Sequence, residues 1–255
     1  MFWKRARSPI DEETEDWLID CWGWLLANLD GLEQLRNFPL VLPTPEFFPP
    51  SEAVGQERAD HVFRCVAALS GTQDWPFVLI AQEEGFNPVL GPMTVVQNVE
   101  PEPLGTFSIG PGEPMRITYD PALLDRPMNL IATFIHEIAH ALLLGVGKEV
   151  PGGQEFEEWA TDLTTVFLGF GIFGANCAVE FEQFHDVGGG AQGWSLRRSG
   201  YLSETEWTFA LALFLSSRGE TFEAASRWLK PGPRTLLKKA LKYLEQNPDR
   251  LAALR

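Results

Sequence analysis

Cysteine, histidine and positive charge are all scarce in this chain of 255 residues. Its three cysteines, Cys21, Cys65 and Cys177, lie far apart, and no Cys-x-x-Cys pair occurs. An odd, sparse set excludes a disulfide framework, and it fits a reducing compartment. Lys and Arg number 20 against 35 Asp and Glu, a net charge of −15. That balance argues against a general nucleic-acid binder, since phosphate recognition wants a basic surface. The N-terminus is basic, but acids follow from Asp11 and no apolar stretch of signal-peptide type is present. The longest uncharged stretch, Leu163 to Val179, is short for a membrane span and holds Thr164, Thr165 and Asn176. It reads as a buried core helix followed by a turn. A soluble, cytoplasmic protein with no membrane association is expected.

Hydrophobic residues make up 45% of the chain and charged ones 22%, ordinary for a globular protein. The charge is uneven: from Arg227 to Arg255 eight Lys or Arg face two acids, Glu245 and Asp249. A solvated helical face docking on an acidic body accounts for this, and a basic tail meeting an acidic partner is the alternative.

Residues 11–37 carry Trp17, Leu18, Cys21, Trp22, Leu25, Leu29 and Leu32 at three- and four-residue spacing, which predicts one helix. Five prolines between Pro39 and Pro50 predict extended backbone laid over the body of the protein. Residues 51–70 read as a second helix. From Trp75 to Tyr119 the runs 77–80, 93–96 and 116–119 are broken by Gly, Pro and Asn, which reads as a small sheet. Helices are expected at 127–144, 155–170, 204–217, 219–229 and 233–246. Strands gathered in the middle of a mostly helical chain predict an α+β fold with a small central sheet. A single domain over 1–255 is expected: a helical and Pro-rich part at 1–74, sheet and core at 75–180, and loop with helices at 181–255.

Two of the four histidines fall in one apolar stretch, Asn129 to Gly145, as His136-Glu137-Ile138-Ala139-His140. On a helix, residues four apart stack on one face, so both imidazoles reach one ion. Zinc accepts imidazole nitrogen at about 2.0–2.1 Å, and such a pair meets that demand without backbone strain. Glu137, one residue on, points aside from the ion and suits the general base that activates a zinc-bound water. Unpartnered, each of these polar groups in an apolar helix costs about 1–3 kcal/mol, so a core role explains them poorly.

A catalytic zinc needs a third protein ligand and an open position. Downstream, Glu158 and Asp162 lie four apart on a helix that then turns apolar, so their face goes inward. Glu158 suits the third ligand, with Glu157 as the fallback. Asp162 suits the acceptor for the free N–H of His136, fixing its tautomer.

Together, His136-Glu-Ile-Ala-His140 and Glu158-Trp-Ala-Thr-Asp162, with seventeen residues between His140 and Glu158, resemble the gluzincin group of zinc metallopeptidases, which includes thermolysin. The resemblance covers residues 115–170, with Arg116–Tyr119 as a strand before the motif helix. It implies a zincin-like core of two metal-binding helices. His136, His140 and Glu158 would then bind Zn2+, with Asp162 supporting His136. A peptide or protein is the implied substrate. The flanking regions resemble no named peptidase; the nearest likeness is to uncharacterised bacterial proteins with a predicted peptidase core.

An oxyanion-stabilising residue is sought in the glycine-rich stretch from Phe184 to Tyr201, read as a loop. His185 and Tyr201 are the candidates, followed by Arg197 and Arg198. His61 reads as structural, and Trp159, Trp194 and Trp207 suit either a cleft lining or the core. Two other functions share the same ligands: a partner-binding or regulatory protein with a non-catalytic zinc site, and a zinc hydrolase of non-peptide amides or esters.

Overall fold

The computed structural model describes residues 6–83, 104–110, 113–185 and 201–254, with side chains omitted at 179–185 and 253–254. It is an α+β arrangement, mostly helical, with a small mixed sheet. Helix α1 (Glu12–Asn28) starts at Asp11, whose carboxylate accepts from the Thr14 N–H at 3.0 Å, and Glu12, Glu13 and Glu15 complement its dipole. The single helix expected over 11–37 is in fact two. Asp30 (φ 60°) and Gly31 (φ 75°) are both left-handed, which ends the first helix and sets α2 (Gly31–Asn37) at a new angle.

The Pro-rich segment lies against the core as expected, but it is not extended throughout: residues 43–48 form a turn in which the Phe47 and Phe48 N–H groups donate to the Thr44 carbonyl. Val41 is fully buried, and its N–H donates to the Gly169 carbonyl at 3.0 Å. Gly169 (φ 92°) permits that approach, because a Cβ there would sit 2.0 Å from the Pro39 oxygen. Helix α3 (Gly55–Leu69) then buries Phe63 and Val66.

Strands β1 (Phe77–Ala81), β2 (Gly105–Ser108) and β3 (Met115–Tyr119) form a sheet of order β1-β3-β2. β1 pairs parallel to β3 with Leu79 opposite Ile117, and β2 pairs antiparallel to β3 with Phe107 opposite Ile117. The run 93–96 lies outside the described residues. Ile117 and Tyr119 face inward, and Tyr119 meets Phe134 edge-on at 5.7 Å.

Phe134 belongs to helix α4 (Pro127–Val146), which starts at a proline and stops at left-handed Gly147 (φ 64°). Among the described residues α4 is the one helix long and apolar enough to cross a membrane, and 67% of its most apolar window is buried inside the fold. It is apolar because protein surrounds it. Helix α5 (Glu157–Phe167) follows a 3-10 turn at Gln154–Phe156. The uncharged stretch 163–179 is not one helix and a turn. It holds the end of α5, a turn, and the first half of a further helix, α6 (Gly171–His185), which extends past residue 180 into the stretch read as loop. Gly174 lets Trp207 lie against α6: a Cβ there would come within 2.2 Å of the indole ring.

Trp207 sits on α7 (Glu204–Arg218), opened by a Ser203–Glu206 capping box and closed by left-handed Gly219. Two more helices follow, α8 (Phe222–Ser226) and α9 (Pro231–Gln246), then a 3-10 segment, Pro248–Leu254. The basic C-terminal part folds back on acidic α1. The Tyr243 hydroxyl donates to Glu15 at 2.8 Å, and Arg250 donates to the same oxygen at 2.6 Å while also pairing with Asp16. Helices α4 to α7 thereby enclose one side of the motif residues, and the sheet covers another.

Candidate metal centre

α4 presents His136 and His140 one turn apart, and α5 packs against α4 so that Glu158 and Asp162 face them. Three ligand atoms converge. His140 Nε2 lies 3.1 Å from His136 Nε2, and Glu158 Oε2 lies 3.2 Å and 3.5 Å from those nitrogens. The other nitrogen of each ring is engaged. His136 Nδ1–H donates to Asp162 Oδ1 at 3.0 Å. His140 Nδ1 lies 3.3 Å from the Thr161 hydroxyl, whose own hydrogen goes to the Glu157 carbonyl at 2.8 Å. That oxygen is thus an acceptor toward His140. Each ring thus engages its Nδ1 elsewhere and turns Nε2 toward the cluster, the atom that serves as a metal ligand when it carries no hydrogen. Glu158 Oε2 is buried without a hydrogen-bond donor of adequate geometry among the described residues, although it stands within ion-pair distance of both imidazoles.

Three such groups facing one another need positive charge between them, supplied by protons or by a metal ion. The three atoms lie 3.1, 3.2 and 3.5 Å apart, close enough to share one ion at the ~2.0–2.1 Å of zinc bonds. Two imidazole nitrogens and one carboxylate oxygen are a donor set that suits zinc.

The electrostatics point the same way. Burial lowers the His136 pKa, but the hydrogen bond to Asp162, the close contact with Glu158 and the charges of Asp162 and Glu137 outweigh it, holding the ring well above the ordinary imidazole value. Burial raises the Glu158 carboxyl, yet the close contacts with the two histidines and their charges drive it well below the usual carboxylate range. Both shifts mean that positive charge is favoured at this spot. Asp162, fully buried, accepts from His136 on one oxygen and from the Leu202 N–H at 2.8 Å on the other.

Glu137 is 5% exposed and lies beside this cluster rather than in it. Its carboxylate faces β2: a Cβ built on Gly105 would stand 3.1 Å from Glu137 Oε1. Burial raises its pKa, the histidines lower it and Glu158 raises it; the net direction is upward, toward a carboxylate that holds a proton more readily. Tyr201 brings its ring within 5.2 Å of the His136 ring. Burial and then the charges of Glu158, Glu137 and Asp162 push its phenol well above the ordinary value, so it stays a neutral O–H.

His136, Glu137, His140, Glu158, Asp162 and Tyr201 are thus brought together. His185 is the last residue of α6 rather than part of a loop, because that helix runs further than its sequence suggests; its side chain lies outside the description. Arg197, Arg198 and Trp194 fall outside the described residues. Glu157 contributes its backbone carbonyl, not a ligand atom, to the cluster. His61 lies on α3, with its ring nitrogen 2.8 Å from the Pro49 carbonyl, in keeping with a structural role. Trp159 packs with Trp17 and Phe156 in an aromatic trio. Sequence reasoning missed Thr161. The only sequence signal was its place immediately before Asp162 and four residues after Glu157.

Comparison with protein-family models, with curated proteins and with solved structures finds no match.

Proposed function

We propose that this protein is a soluble, cytoplasmic zinc hydrolase, a gluzincin-like metallopeptidase with a zincin-like core in one domain. The observation that carries the reading is the convergence of His136 Nε2, His140 Nε2 and Glu158 Oε2, with buried Glu137 alongside. Bound by these three side chains, the ion would supply Lewis acidity toward an acyl oxygen and toward water.

The chain's own residues account for the rest. Glu137, with its raised proton affinity, takes a proton from water as the water oxygen bonds to the substrate's carbonyl carbon. It returns that proton to the amine nitrogen as the C–N bond breaks. Tyr201, neutral and beside His136, is positioned to donate its O–H to the oxyanion. Asp162 and Thr161 hold the two imidazoles in the tautomer that keeps Nε2 free.

The test is hydrolysis of a mixed peptide substrate by zinc-loaded protein, by its Glu137→Gln variant and by protein stripped with a chelator. Cleavage by the first alone supports the reading. A zinc-loaded protein that cuts no peptide contradicts it.

A further inference from the structure

The basic C-terminal part carries more positive charge than its docking on α1 uses. Arg250 pairs with Glu15 and Asp16, Arg234 donates to the Leu229 carbonyl, and Arg227 lies over the Trp228 ring. Lys239 and Lys242, both exposed on α9, make no hydrogen bond or ion pair among the described residues. With Leu236 they recur at three-residue spacing, hence on one face of the helix. That face forms one wall of an open groove of about 440 Å³.

The other wall is the segment Ala6-Arg7-Ser8-Pro9, and Thr205 in the first turn of α7 completes the lining. The segment is held at both ends: the Ala6 N–H donates to Gln246 Oε1 at 2.7 Å, and Ile10 packs on the core. Arg7 is exposed and, like the two lysines, has no partner among the described residues. Three cations therefore border one space, and no carboxylate is among the residues that line it, although the chain as a whole carries a net charge of −15. Only an anion from outside offsets their mutual repulsion.

The lining also selects among anions. A guanidinium offers a planar fork and an ammonium a compact charge, and together they suit the oxygens of a phosphate. Ser8 Oγ accepts the Ile10 N–H at 3.4 Å, which leaves its own hydrogen to donate, and the Thr205 hydroxyl is a second donor. Ala6, Pro9 and Leu236 add apolar surface for an organic remainder. The volume falls within the ~300–1,000 Å³ of small-molecule sites. Exposed Asp11, Glu12 and Glu13 follow directly on this wall, so a long polyanion such as nucleic acid meets repulsion that a compact anion avoids.

We propose that this groove binds a small phosphate monoester, a nucleoside monophosphate or a sugar phosphate. It shares no residue with the candidate metal centre, and the proposal does not depend on the hydrolase reading.

The experiment is calorimetry on the full-length protein at constant ionic strength, titrated with AMP, adenosine, ribose phosphate, inorganic phosphate and a hexaglutamate peptide. At least one of the two monoesters binds, one per chain and more tightly than inorganic phosphate, while adenosine alone does not bind. Lys239→Gln and Lys242→Gln each weaken that binding by about tenfold. Lys238→Gln, exposed on α9 but outside the groove, changes it by less than about twofold. All three variants melt with the parent, since each alters an exposed side chain. Failure of both monoesters to bind overturns the proposal. So does inorganic phosphate or hexaglutamate binding as tightly as the better monoester, or an equal loss in Lys238→Gln, the behaviour of a diffuse positive charge.

Discussion

Replacing Asp162 by asparagine keeps the size and shape of a side chain that is 1% exposed but turns one of its two acceptors into a donor. Asp162 receives N–H groups on both oxygens, from His136 Nδ1 at 3.0 Å and from Leu202 N at 2.8 Å. An amide can accept from one of them and must present its NH2 to the other. Either orientation leaves a buried donor facing a donor, a cost of about 1–3 kcal/mol. If the oxygen stays with Leu202, His136 loses the acceptor that fixes its tautomer, and a ring protonated at Nε2 no longer offers a ligand atom. Zinc affinity then falls by about 10–100-fold, equivalent to about 1.4–2.7 kcal/mol. If the oxygen stays with His136, the cost appears instead in the metal-free protein: for a chain of this size 2 kcal/mol lowers Tm by about 4–8 °C. Competition with a chelating dye measures the first loss, and melting of the metal-free protein measures the second. A variant that binds zinc within threefold of the parent and melts at the parent's temperature would refute the role assigned to Asp162.

Thr161→Val removes the acceptor at His140 Nδ1; because that contact is longer, 3.3 Å, zinc affinity should drop by about 10-fold, with Thr161→Ser restoring it by the same titration. Glu137→Gln should keep one zinc per chain while kcat/KM falls by about 10²–10⁴-fold in a peptide assay. In the metal-free protein the same carboxylate, raised chiefly by burial, should titrate above the ordinary glutamate range when followed by NMR. At the opposite end, burial and then the Glu15 carboxylate push the Tyr243 phenol up to about 12. The folded state holds that proton more tightly than the unfolded chain, whose tyrosine titrates near ~10. This contribution is therefore complete below pH ~10 and lost as pH rises toward ~12. Urea unfolding across that window should show a steeper loss in the parent than in Tyr243→Phe.

The residues of the candidate metal site were legible because their chemistry conflicts with their surroundings. Two imidazoles and a carboxylate in the apolar stretch 129–145 demand an explanation, and Glu158 with Asp162 supply matching groups at helical spacing. Thr161 was not legible in the same way, since a threonine inside a helix commonly bonds its own backbone, and here it does so while also facing His140. Helix placement followed apolar periodicity and failed where periodicity carries no information. Leu29, Leu32 and Leu35 continue the pattern of α1 across the break, so the period hides it; the Asp30-Gly31 pair was the better signal. Helix α6 is buried on every described face of its first half, from Ile172 to Ala178, so no polar stripe marks it as a helix. Strand β2, four residues with a glycine and two small hydroxyl side chains, has too little alternation to stand out, yet it carries the glycine that lets the sheet approach Glu137.

X-ray absorption at the zinc edge of protein loaded with one equivalent of zinc tests the centre of this account most directly. The geometry of His136, His140 and Glu158 predicts two imidazole nitrogens and one carboxylate oxygen at about 2.0–2.1 Å with a further oxygen from water, and loss of one nitrogen in His140→Ala. A shell closed by a fourth protein ligand, or zinc bound unchanged in His140→Ala, would contradict it.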